Sequence, residues 1–115
     1  MTTPTIDATT FRTLQDTAGA EFVVELVDTF LQEAPRMLED LRSALAAGDA
    51  GKFRRAAHSL KSNASTFGAL AFAASARELE LAGLERMMAT NPHALAALAE
   101  EYGRVAAALG EMRNA

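Results

Sequence analysis

The 115-residue chain contains no cysteine. That excludes disulfides, thiolate metal sites and a cysteine nucleophile, and it agrees with a reducing compartment, so the expected location is the cytoplasm. Glycine and proline are few, seven and three residues, and they stand at punctuation points. No alternating β-branched run reads as a strand. No apolar run approaches the roughly 20 residues that span a bilayer, so no membrane association is expected. Met1-Thr2-Thr3-Pro4-Thr5 lacks a basic region followed by an apolar core, so no signal peptide is expected. The net charge of −4 argues against non-specific nucleic-acid binding. There is no glycine-rich phosphate loop either. Gly48 and Gly51 flank a helix start without the required Lys-Ser/Thr pair, so no ATP site is expected. The two histidines, His58 and His93, lie far apart, and no Glu-x-x-His or His-x-x-x-His spacing exists to build a metal site in a bundle.

Half of the residues are hydrophobic, and alanine, the best helix former, dominates them. Residues 1–6 read as a short arm and residues 7–115 as one domain. Asp7 caps a first short helix over about 8–18, and Gly19 ends it. A long helix over about 20–47 follows, its seam made by Val23, Val27, Phe30, Ala34, Met37, Leu41 and Ala44. Phe22, Leu26, Leu38 and Leu45 widen that face. Pro35 lies within the seam. The apolar spacing runs through it unbroken, which favours a kink over a split. Gly48 closes the helix and Asp49 caps the third, over about 50–67. Gly68 stops that one, and a fourth helix covers about 69–89. There Phe72, Ala76, Leu79, Gly83 and Met87 form one stripe and Leu81, Leu84 and Met88 another. Thr90-Asn91-Pro92 marks a boundary, with Asn91 as cap and Pro92 at the first helical position. The last helix carries Leu95, Leu98, Tyr102, Val105, Leu109 and Met112, the cleanest amphipathic pattern in the chain. Short loops between long helices make neighbours antiparallel. The expected fold is all-α, an antiparallel up-down four-helix bundle with a short additional N-terminal helix. The last-helix seam is accounted for within the bundle, which favours a monomer.

The third helix holds the candidate site. With 100° per residue, Arg54, Arg55, Lys61, Ser62 and Ser65 fall within about 60° of His58. Phe53, Ala56, Leu60, Ala64 and Phe67 fall on the far side, with Ala57 at the border. His58 therefore sits amid a polar, basic face with small side chains. On wheel position alone, an ordinary surface histidine is modestly favoured, and the cations read equally as a solvated face. The small neighbours shift that balance, because another protein could approach the imidazole closely. A neutral imidazole with a free lone pair needs no local base to act as a nucleophile, and none lies within one turn. Ser59, Ser62 and Ser65 have no oxyanion-hole loop, so packing explains them better than nucleophilic work. His93, beside Pro92, reads as a surface residue. Glu78 and Glu80 lie two apart on different faces, which points to solvation or helix–helix contacts.

The run His58-Ser59-Leu60-Lys61-Ser62-Asn63-Ala64-Ser65-Thr66-Phe67-Gly68-Ala69 resembles the motif His-x-Leu-Lys-Gly-Ser-x-x-x-x-Gly-Ala of histidine-containing phosphotransfer (HPt) domains of bacterial phosphorelays. His58, Leu60, Lys61, Gly68 and Ala69 match it. The likeness extends to the Phe30 region, to Ala47-Gly48-Asp49 and to Leu79-Glu80. Ser62 stands where the family has glycine and Asn63 where it has a small residue. Both departures bear on partner preference. The resemblance implies a phosphorelay intermediate, a carrier and not a turnover enzyme. His58 would take a phosphoryl group from an aspartate of one receiver domain and pass it to an aspartate of another. Lys61 would offset charge on the phosphoryl oxygens, and Arg54 and Arg55 would act as secondary or docking cations, beside the small Ser62 and Ser65. The implied partners are receiver domains of response regulators or a hybrid sensor histidine kinase. The chain itself would bind no cofactor, and Mg²⁺ would sit on the receiver. The rival readings are a non-catalytic helical adaptor docking on a signalling partner and the phosphoryl-accepting domain of a larger kinase.

Overall fold

The structure, a computed structural model, describes residues 5–90 and 93–113, without the side chains of 87–90. Five helices occur among them: α1 (Ala8–Ala18), α2 (Ala20–Ala47), α3 (Ala50–Phe67), α4 (Leu70–Thr90) and α5 (Ala94–Arg113). Helices α2 to α5 form the four-helix bundle, with α5 returning to α2, and α1 lies across α2 and α3. The Asn91-Pro92 boundary and the stripe positions Met87 and Met88 lie outside the described residues.

Local chemistry explains the helix ends. The Asp7 carboxylate accepts from the Thr10 amide at 3.0 Å, and the Asp49 carboxylate accepts from the Lys52 amide at 3.0 Å. Each satisfies an amide that the first helical turn leaves without a partner. Gly48 and Gly68 close α2 and α3 in the left-handed conformation. The α3 stripe is buried as expected, with Phe53, Ala57, Leu60 and Ala64 at 0 % exposure. Phe53, Phe72, Leu41, Leu60 and Leu109 are among the largest fully buried side chains, each contributing about 1.5–3 kcal/mol by leaving water.

α2 continues through Pro35 without splitting. Proline has no amide hydrogen, so the carbonyl four residues earlier, that of Leu31, loses its helical donor. The Tyr102 hydroxyl of α5 donates to this carbonyl at 3.4 Å. Burial raises the Tyr102 pKa, which keeps the hydroxyl protonated and a donor. The same ring packs against Phe30 and Phe72, with centroids 6.0 and 6.2 Å away. Tyr102 thus ties α5 to the weak point of α2.

Two expected stripes are corrected. Gly83 does not continue the α4 stripe, because its φ of 76° and ψ of 170° interrupt the helix. That region is open essentially to glycine alone. After the interruption Leu84 is the buried residue, while Leu81, two residues beyond buried Leu79 and so on the opposite side of the helix, is 70 % exposed. Phe22 likewise does not widen the buried face of α2. It lies in the first turn, before the bundle closes around it, and is 50 % exposed.

Gly68 is held by two constraints. Its φ is +86°, and its carbonyl accepts from the Asp7 amide at 2.8 Å. A Cβ there would stand 2.9 Å from the Asp7 carbonyl oxygen and 2.9 Å from Thr10 Cβ. Gly68→Ala should therefore cost at least about 2 kcal/mol and lower the urea midpoint. Gly110→Ala, whose Cβ meets nothing within 4 Å, should raise the midpoint by removing unfolded-chain entropy. Tyr102→Phe should cost about 1 kcal/mol in the same measurement, because the Leu31 carbonyl loses the hydroxyl that donates to it.

Candidate functional site

His58 is the exposed residue at the middle of α3. Phe53, Ala57, Leu60 and Ala64 are pinned in the core, and the helical period then turns residue 58 outwards, its side chain 57 % exposed. α4 returns beside α3 after the Gly68 turn and brings Glu80 against it. Leu79 is buried, which places Glu80 at the edge of the seam with its side chain 16 % exposed.

One carboxylate holds two groups of α3. Glu80 Oε2 lies 2.5 Å from His58 Nδ1, and Glu80 Oε1 accepts from Lys61 Nζ at 2.9 Å. The Lys61 hydrogen bond is the largest influence on Glu80 and lowers its pKa. Burial opposes this, and the contact with His58 adds to the lowering. Glu80 is therefore ionised, and an ionised carboxylate can only accept. The hydrogen of a neutral imidazole must then lie on Nδ1, a tautomer assigned from the hydrogen-bond network. This leaves the Nε2 lone pair free on the ring edge away from Glu80. The arrangement is a nucleophile with a fixed tautomer and a fixed ring plane, open to solvent.

Of the residues expected at the site, His58 and Lys61 are brought together through Glu80. Arg54, Arg55, Ser62 and Ser65 are exposed on α3, and among the described residues none of their side chains pairs with the imidazole. Arg55 folds back towards the start of α3, its Nη1 3.2 Å from the place a Cβ on Gly51 would take.

The residue that sequence reasoning did not assign to the site is Glu80. No carboxylate lies within one helical turn of His58, and the structure supplies one from the neighbouring helix. Glu80 does make the helix–helix contact expected of it, but with a chemical consequence. A signal existed: His58 is ten residues before Gly68 and Glu80 twelve after it, and an antiparallel hairpin turning at Gly68 sets them opposite one another.

The imidazole is exposed and lies outside the clefts that flank α3 and α4. A cleft of about 270 Å³ between α4 and α5, lined by Ser75, Glu78, Leu79, Leu98, Glu101 and Arg104 among others, does not reach it. A groove of about 220 Å³ between α2 and α3, bordered by Leu26, Phe30, Met37, Asn63 and Thr66, also excludes it. Such a nucleophile is presented to a macromolecule and not to a small substrate held in a pocket. No helix among the described residues is long and apolar enough to cross a membrane.

A family model described as Hpt domain matches residues 25–108. Among solved structures, that of histidine-containing phosphotransfer protein B (HptB) from Pseudomonas aeruginosa PAO1 matches with a TM-score of 0.85 and 30 % sequence identity, covering 98 % of this chain and 97 % of that one. No curated protein matches the chain.

The lowered pKa of Glu80 has a signed consequence for stability. A carboxylate whose folded-state value lies below its unfolded one stabilises the fold above the unfolded value, and that contribution disappears as pH falls through the folded one. Urea unfolding of the wild type and Glu80→Gln should differ at neutral pH, and the difference should shrink as pH drops below the ordinary glutamate range. A gap that stays constant across that range would contradict an ionised Glu80 in the native site.

Proposed function

The chain belongs to the Hpt domain family and works in histidine phosphotransfer, and we propose that His58 is the residue that carries the phosphoryl group. The observation behind this reading is the Glu80 contact at Nδ1, which leaves Nε2 free and outward. Proteins of this family act with receiver domains, and the donor and acceptor here are aspartates of two such domains.

The step balances as follows. The Nε2 lone pair attacks the phosphorus of an aspartyl phosphate. The P–N bond forms, the P–O bond breaks, and the aspartate leaves as a carboxylate with the electron pair. The Nδ1 hydrogen stays in place, so the phosphorylated ring is an imidazolium whose charge faces the Glu80 carboxylate. Onward transfer reverses these events at the second aspartate, and the ring returns to its starting tautomer without exchanging a proton. Phosphoryl transfer passes through a loose, in-line transition state, for which positioning and charge matter more than acid–base work. Lys61 anchors the Glu80 carboxylate that faces the ring, and Arg54 and Arg55 supply cations at the surface. Ser62 and Ser65 keep the approach low. Mg²⁺ belongs to the receiver. The absence of an ATP site in this chain, a monomeric state and a cytoplasmic location are parts of the same proposal.

Incubation with a phosphorylated receiver domain should place acid-labile, alkali-stable label on the wild type. His58→Gln should take up none while keeping its helical circular dichroism. Label persisting in that variant would move the site elsewhere, and a wild type unlabelled by every receiver tested would favour the adaptor.

A further inference from the structure

The cation next to His58 in sequence lies on the wrong edge of the ring to meet a phosphoryl group. Lys61 Nζ is hydrogen-bonded to Glu80 Oε1, and the other oxygen of that carboxylate takes Nδ1. Lys61 and Glu80 therefore both occupy the Nδ1 side. Nε2 is on the opposite side of a planar five-membered ring, and a group bonded there projects away from them. A phosphoryl group carries nearly two negative charges, so the Nε2 side needs a cation of its own.

Most cations nearby are engaged. On α2, Arg36 pairs with Glu33 at 3.8 Å and Arg42 with Glu39 at 3.1 Å. Lys52 of α3 donates to Ser43 at 3.0 Å. On α4, Arg77 stands three residues before Glu80, the carboxylate that meets Nδ1. Side chains of a helix lean towards its N-terminus, so the His58 ring lies over the turn that contains Arg54 and Arg55. Arg55 is drawn back over Gly51. Arg54 is exposed, one turn before His58, and has no ion pair or hydrogen-bond partner among the described residues.

We propose that Arg54 is the cation that meets the phosphoryl group on Nε2, and that Lys61 is a positioning residue that acts through Glu80, keeping its carboxylate aimed at Nδ1. The proposal rests on His58 as the phosphoacceptor. It divides the two cations by ring edge: one faces the bound group, the other faces the carboxylate that fixes the ring.

Phosphoramidate, which phosphorylates imidazoles directly and releases ammonia, tests this without a partner protein. The rate of label on His58 is followed by ³¹P NMR as a function of pH, with ¹⁵N shifts of the ring reporting the tautomer. Lys61→Ala and Glu80→Gln should each slow labelling about tenfold, and the double variant should be no slower than Glu80→Gln alone, since both remove one unit. Lys61→Ala should also loosen the Nδ1–H tautomer, because Glu80 loses the ammonium that anchors its other oxygen, a change read in the ¹⁵N shifts. Arg54→Ala should slow labelling about tenfold and multiply with Glu80→Gln to about a hundredfold. It should leave the tautomer unchanged, and Arg54→Lys should recover part of the rate. An Arg54→Ala variant at the wild-type rate overturns the proposal, as does a Lys61→Ala effect that multiplies in full with Glu80→Gln. A wild type that takes no label on His58 overturns the phosphoacceptor assignment itself, a result distinct from either.

Discussion

The backbone contact between Asp7 and Gly68 sets the geometry from which the rest follows. The Gly68 carbonyl takes the Asp7 amide at 2.8 Å, and no side chain fits between them. The turn that ends α3 is thereby clamped from outside by the segment before α1, with Ile6 and Phe11 buried beside it. A hairpin held at its corner has a defined register along both arms. In α3 and α4 that register sets Glu80 opposite His58 and Lys61. The clamp comes from residues ahead of the span 25–108 that matches the Hpt domain model. The N-terminal helix is therefore an integral support of the site.

Within the site, one carboxylate does the work of orientation. It takes a hydrogen from the ring with one oxygen and from an ammonium with the other. The ammonium favours the ionised carboxylate, and the ionised carboxylate requires the hydrogen on Nδ1. Fixing the tautomer in this way leaves the Nε2 lone pair free, and the same carboxylate would stabilise a positively charged ring. The rest of the face is sparse by comparison, with exposed Ser62 and Ser65.

The fold was legible in the residues to a large extent, for physical reasons that can be traced. Asp7 and Asp49 can satisfy free amides at helix starts, and Gly48 and Gly68 can turn left-handed at helix ends, so these boundaries follow from local chemistry. The buried stripe of α3 follows from the helical period. Tertiary packing decided the places where the period misled. Gly83 has the spacing of a core residue, yet it interrupts α4 and hands the buried position to Leu84. Phe22 stands beside the α2 seam and was expected to widen the buried face, yet it is 50 % exposed. Pro35 was expected to bend α2, and the sequence carried no sign that Tyr102 of α5 would answer the carbonyl it leaves free.

By itself, then, the sequence determined five helices, the outward direction of His58 and the motif that gives the family. These depend on residues within a turn or two of one another, where backbone geometry is the same in any fold. Only the tertiary structure decided which nitrogen of His58 keeps its lone pair free and which edge of the ring Lys61 faces. Both depend on Glu80, 22 residues away, and its position is set by how two helices pack about a clamped turn, which no periodicity along one helix encodes.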